Sequence, residues 1–134
     1  MVLDDLVVSI KENEGFRGEV YQDHLENDTL GYGTLMPISP IEATVLLRMR
    51  LDGMIKELST KEPVFNMVPP EAQSILAEMA YQMGVNGLLK FKKTWKYLQA
   101  HDFEAAAKEM LDSKWHEQTP NRAKELSERM SKVV

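Results

Sequence analysis

Helical spacing of apolar residues runs through most of this chain, and it fails over one stretch near the N-terminus, residues 16–34. Before the break, Leu3, Leu6, Val7 and Ile10 fall at i, i+3, i+4 and i+7, the stripe of an amphipathic helix, and Gly15 is placed to stop it. Within the break the period changes. Short extended runs at Glu19–Gln22 and Thr29–Gly33 flank the turn-rich segment His24–Asp28. Val20, Tyr21, Thr29, Leu30 and Tyr32 have strand character, and Gly31 and Gly33 leave room for something to approach the backbone. A hairpin or three-stranded patch of this size is not stable alone, so it must pack on helices. The chain is therefore expected to be α+β, mostly helical, with a small sheet near its start.

Ser39, Pro40 and Glu42 supply an N-cap, a first-turn proline and a capping-box glutamate for a long helix over about 40–58. Leu47, Leu51, Met54, Ile55 and Leu58 share one face of it, and Gly53 is a soft point. After Pro63, Pro69 and Pro70 the spacing predicts helical pieces at about 71–82, 86–91, 93–100, 103–112 and 120–131. Asp102 serves as an N-cap and Pro120 as a helix start.

The 134 residues carry 43% apolar content, enough for one core without staples. The absence of cysteine excludes a disulfide scaffold, a thiol nucleophile, an iron-sulfur cluster and a zinc ribbon. The net charge is −5, which argues against nucleic-acid binding. The charge is unevenly placed. Residues 1–62 hold six Lys or Arg against twelve Asp or Glu, whereas residues 63–134 hold ten against nine. Lys90, Lys92, Lys93 and Lys96 cluster in a stretch with no acidic residue between Tyr81 and His101; such a run is either a solvated helix face or an anchor for an anionic ligand. Asp4 and Asp5 stand where a signal peptide would be basic, and no apolar run reaches the length of a membrane span. A soluble protein without membrane insertion is expected.

Few groups are suited to chemistry. His24, His101 and His116 lack metal-ligand spacing, and no serine-nucleophile, P-loop or dinucleotide motif occurs, so neither metal nor cofactor is expected. Glu14, Asp23 and Thr29 remain. Glu14 lies within roughly 20° of the apolar stripe, where desolvation would raise its proton affinity. Asp23 sits where an extended run meets a polar loop, which keeps a carboxylate charged, and Thr29 starts the next run and could face it. Two carboxyls in unlike surroundings are what glycoside hydrolysis requires, one as proton donor and one ionised. On spacing alone, a helix-terminal Glu and a turn Asp are also ordinary structural features.

Glu14-Gly-Phe-Arg-x-x-x-Tyr21-x-Asp23, followed by Thr29-Leu-Gly-Tyr-Gly-x-Leu35, resembles the active-site segment of the T-even phage lysozyme family, the endolysin muramidases of glycoside hydrolase family 24. Tyr81-Gln-Met-Gly84 with Phe91, and Ser113-Lys-Trp115 through Pro120-Asn-Arg-Ala123, extend the resemblance along the chain. It implies a lysozyme-like fold. A small lobe of about 12–38 would be joined by a helix of about 40–58 to a helical lobe of about 63–134, with helix 3–14 packed on the latter.

It also implies inverting cleavage of the β-1,4 bond between N-acetylmuramic acid and N-acetylglucosamine. Glu14 would be the general acid, with Asp23 and Thr29 holding the attacking water, and Leu35, Tyr81, Thr94 and Glu109 would contact substrate. Glu109 replaces an amide with a charge. Thr34 stands where the family has a histidine in an ion pair, so that pair is absent, and Leu35–Ser39 is shorter than in the phage enzyme. A monomeric endolysin acting on peptidoglycan follows, held in the host cytoplasm until a separate holin admits it to the wall. Two alternatives stay open: a lytic transglycosylase, which needs no Asp/Thr pair, and a peptidoglycan-binding or virion module of weak activity.

Overall fold

The computed structural model describes residues 2–134. The elements in chain order are α1 (Leu3–Glu14), β1 (Arg17–Gln22), β2 (Asp28–Gly31), β3 (Thr34–Leu35), α2 (Pro40–Lys61), a 3-10 turn (Pro63–Met67), α3 (Pro70–Met83), α4 (Val85–Leu89), α5 (Lys92–Gln99), α6 (Phe103–Met110), α7 (Lys114–Gln118) and α8 (Pro120–Ser131). The fold is α+β and mostly helical, with one small antiparallel sheet. The chain divides into two compact units, Met1–Leu46 and Leu47–Val134, with the boundary inside α2.

In the first unit α1 ends where the sequence places its stop, and the Gly15 amide donates to the Lys11 carbonyl at 3.0 Å. The sheet is antiparallel in the order β1-β2-β3. Tyr21 pairs with Thr29 and Gln22 with Asp28, and the register shifts between Arg17 and Tyr21, a bulge that bends β1. Thr29 pairs in turn with Leu35. The sequence reading made Thr29–Gly33 one extended run. In the structure β2 stops at Gly31, and Tyr32 and Gly33 form the turn into a two-residue third strand. Among the described residues of this unit only Thr29 is buried, so its order rests on pairing and turns more than on a core.

The start of α2 is capped as its sequence implies. The Glu42 carboxylate accepts the Ser39 amide at 2.9 Å and the Ser39 hydroxyl accepts the Glu42 amide at 3.2 Å. These bonds, the Ser39 amide foremost, hold the Glu42 carboxyl below the ordinary carboxylate range. Gly53 does not interrupt the helix, which runs on to Lys61. Of the apolar face read from its sequence, Leu58 is buried, Leu51 and Met54 are half-buried, and Leu47 and Ile55 are exposed.

The second unit holds the core. Leu58, Ile75, Leu76, Met79, Leu88, Leu98, Met110, Leu126 and Met130 are fully enclosed, with α5 packed on α6, α6 on α8, and α3 on both α4 and α8. Buried polar groups find backbone partners. The Trp95 indole donates to the Leu88 carbonyl at 3.0 Å and the Ser127 hydroxyl to the Ala107 carbonyl at 2.8 Å. Asp102 caps α6 through the Ala105 amide, and Pro120 opens α8. Helix α7 has no counterpart in the sequence reading. At five residues it is too short for a periodic signal, and Ser113 nucleates it by accepting the His116 amide.

Because Leu58 has no exposed surface while Ile41 on the same helix is 79% exposed, Leu58→Ala is expected to cost about 3 kcal/mol and Ile41→Ala less than about 0.5. Urea unfolding of the two variants checks the difference.

Candidate active site

Glu14 is the last residue of α1, and its position is set by the turn between β2 and β3. Gly33 has a φ of +73°, and a Cβ placed on it would lie 2.8 Å from Glu14 Oε2 and 3.0 Å from its Cδ. The carboxylate therefore rests on glycine backbone that no other residue could leave free. This is the close approach that the Gly31 and Gly33 pattern anticipates. The expected desolvation of Glu14 is not supplied, however. The stripe residues Leu3, Leu6, Val7 and Ile10 are all exposed, and Glu14 with them, because their own unit offers no apolar surface to cover them.

Asp23 follows β1 directly. Its Oδ1 accepts the amides of Leu25 and Asn27, both at 2.9 Å, and its own amide donates to the Asn27 carbonyl at 2.9 Å. The Asn27 amide is the chief cause holding the Asp23 carboxyl below the ordinary range; desolvation opposes it, and the Leu25 amide and the Asn27 side chain add to the lowering. The charged state read from its polar loop is thus accounted for by specific donors.

Thr29 is buried, and its hydroxyl donates to the same Asn27 carbonyl at 2.9 Å. Asn27 is the node that joins the two residues, and the sequence reading passed over it as one of several turn residues. Its backbone does the joining, which no side-chain pattern encodes. Leu35 stands opposite Thr29 on β3 and is exposed.

In the second unit, Thr94 and Glu109 line one cavity of about 460 Å³ together with Lys90, Lys92, Lys93 and Asp112. Thr94 comes from the first turn of α5 and Glu109 from the end of α6, two helices packed on each other. Part of the lysine cluster thus borders a concave surface rather than a plain helix face. Tyr81, on the last turns of α3, is 57% exposed and does not line that cavity. Trp115 is buried and its indole donates to Gln82 at 2.6 Å, which ties the segment after Ser113 to the end of α3.

The profile of the phage lysozyme family matches residues 11–132. The chain belongs to that family, a family of glycoside hydrolases. Its relatives include the pre-baseplate central spike protein Gp5 of Enterobacteria phage T4, 31% identical over 88% of this chain and 26% of that protein. Probable T4-type lysozyme 1 of Dictyostelium discoideum is 29% identical over 85% of this chain and 86% of the relative. Peptidoglycan hydrolase gp36 of Pseudomonas phage phiKMV is 27% identical over 88% and 14%. The chain therefore spans about a quarter of the spike protein and most of the Dictyostelium lysozyme. The spike alignment extends over 149 positions, more than this whole chain of 134, so the lysozyme family member here is the shorter one through the shared region.

Gly31 and Gly33 provide a matched pair. Both have left-handed φ, +72° and +73°, but a Cβ at Gly31 meets nothing within 4 Å whereas one at Gly33 meets Glu14. Alanine at either is expected to cost a similar amount, about 1 kcal/mol, from backbone strain. Only Gly33→Ala should also depress hydrolytic turnover, by displacing the carboxylate. Thermal melts and peptidoglycan-lysis rates on the two variants test this.

Asp23→Asn keeps an oxygen able to accept the Leu25 and Asn27 amides but removes the charge. It is expected to lose activity at least a hundredfold, on the order of a lost general base, and to lower the melting temperature modestly at pH 7, because a neutral oxygen accepts those amides less strongly than the anion. The lowered carboxyl pKa makes the turn's contribution to stability present above about pH 4 and lost as pH falls through the folded value. The melting temperature should accordingly fall toward low pH in the wild type and fall less in Asp23→Asn.

Proposed function

We propose that this protein is a muramidase that hydrolyses the β-1,4 bond between N-acetylmuramic acid and N-acetylglucosamine with inversion. The observation that carries the reading is the node at Asn27. Its carbonyl accepts the Thr29 hydroxyl, which leaves the Thr29 oxygen to act as an acceptor, and both backbone amides reach Oδ1 of the Asp23 carboxylate, which leaves lone pairs on Oδ2 for a water. A water that gives its two protons to these acceptors turns a lone pair outward, toward an anomeric carbon. Asp23 is then the general base. Glu14, on the opposite side of the sugar, protonates the leaving oxygen.

Inversion asks for the two carboxyls about 6.5 to 9.5 Å apart around that water. Glu14 is exposed, and a sugar ring laid over it excludes water from the carboxyl. Leu35 and Tyr81 offer exposed apolar surface for sugar faces and Glu109 a polar contact beside the lysines, whereas Thr94, expected to contact substrate, is buried. Lys90, Lys92 and Lys93 favour an anionic wall, while the acidic first 62 residues oppose it.

The biological setting that fits is an endolysin, held in the host cytoplasm until a separate holin admits it to the wall. A second reading, a wall-degrading module of a virion, is favoured by one observation, the 31% identity to a phage central spike protein. A lytic transglycosylase fits less well, because it has no use for the Asp23, Thr29 and Asn27 arrangement.

Chloroform-treated Gram-negative cells should clear in the presence of the wild type and not of Glu14→Gln; equal clearing by both would overturn the role of Glu14. Anhydromuramic ends among the products would overturn hydrolysis in favour of the transglycosylase reaction. Activity should rise from the lowest ionic strength to moderate salt, as screening relieves repulsion between the acidic half and the wall. A monotonic fall would contradict that account.

A further inference from the structure

Tyr32 is used by none of the steps above, yet it meets the end of α1 on both sides of Glu14. Its ring lies 5.5 Å from that of Phe16, tilted by 50°, and the Lys11 ammonium stands 5.1 Å from its centroid. Lys11 precedes Glu14 by three residues and Phe16 follows it by two. The adjacent Gly33 carries the Glu14 carboxylate on its backbone. Two consecutive turn residues thus grip Lys11, Glu14 and Phe16.

Little else in this unit does so. The apolar side chains of α1 are exposed, and Thr29 is the one buried side chain among its described residues. A tilted aromatic pair and a cation over a ring are each small against a hydrophobic core but count where no core exists. Losing them leaves the helix end hinged at Gly15. An ångström of misplacement at a reacting group costs on the order of a hundredfold in rate.

We infer that Tyr32 is a positioning residue, whose ring bolts the end of α1 to the β2–β3 turn and so fixes the Glu14 carboxyl relative to Asp23 and Thr29. The inference rests on Glu14 acting as the general acid.

The ring does this and the hydroxyl does not, so Tyr32→Phe should retain turnover within about twofold. Tyr32→Ala should lower kcat by ten- to a hundredfold, with KM on cell-wall fragments within about twofold and the basic limb of the pH–rate profile moved. A parallel measurement does not depend on activity: nitrogen-15 relaxation of the Gly15 and Phe16 amides, together with the Glu14 carboxyl carbon shift in the full chain. Tyr32→Ala should raise mobility at these two amides and move the carbon resonance, and Tyr32→Phe should do neither. Unchanged relaxation and carbon shift in Tyr32→Ala would overturn the inference, as would an unchanged kcat where Glu14→Gln is inactive. Activity retained in Glu14→Gln would instead remove the general-acid reading, with the relaxation experiment still deciding whether Tyr32 positions that side chain. Lys11→Met, which keeps the stem and drops the cation, guards against misfolding of the alanine variant. It should produce the same changes at smaller size, and no change at all would remove Lys11 from the clamp.

Discussion

The contact between the Glu14 carboxylate and the backbone of Gly33 constrains more of the first unit than any other single interaction. A side chain at position 33 would occupy space within 3.0 Å of the carboxylate, and the φ of +73° independently disfavours one. Glycine is required twice over, for conformation and for proximity. Once Glu14 lies there, α1 must end at the β2–β3 turn, β2 must end at Gly31, and Thr29 is left two residues inside the strand, buried and facing back toward Asn27. The geometry of three widely spaced chemical groups follows from one missing Cβ.

The two carboxyls are held by unlike means, and the difference matches the roles proposed for them. Asp23 is fixed by donors that arrive from its own turn, which favour the anion whether or not anything is bound. Among the described residues Glu14 receives no such donors, and it is placed by van der Waals contact with a glycine and by its neighbours' grip on Tyr32. A base that must be ionised before substrate arrives benefits from permanent donors. An acid that must hold its proton is better placed without them, since every donor added to its oxygens would favour the charged form.

Wherever an element announces itself through side-chain period or cap chemistry, the chain is readable in advance. The stripe from Leu3 to Ile10 with Gly15 gives α1 to the residue, and Ser39, Pro40 and Glu42 give the start of α2 together with the reciprocal bonds that make it. Asp102 and Pro120 do the same for α6 and α8. What escapes is of two kinds. Helix α7 and strand β3 are shorter than any period, so Ser113 and the Thr34–Leu35 pair carry too little pattern to be seen. The Asn27 node escapes for a different reason, since it is a backbone carbonyl serving two donors and any residue supplies a carbonyl.

The misjudged burial of Glu14 has a further lesson. An apolar stripe states that a helix face prefers to leave water, but not which surface will receive it, and the sheet beside α1 is too small to do so. Stability and catalytic geometry are consequently carried by different parts of this chain. The enclosed side chains of the second unit, from Leu58 to Met130, supply the apolar burial that opposes chain entropy. The first unit supplies almost none and relies on directional contacts: strand register, the Asp23 turn, the capping box and the Tyr32 clamp. Directional contacts fix distances to fractions of an ångström while adding little stability each, which is the combination a catalytic segment needs. Substitutions in the two units should accordingly sort by phenotype, those at the core acting on unfolding and those around Glu14 and Asp23 on turnover. The chemistry proposed for Glu14, Asp23 and Thr29 is thus concentrated in the part of this chain with the least core to protect it.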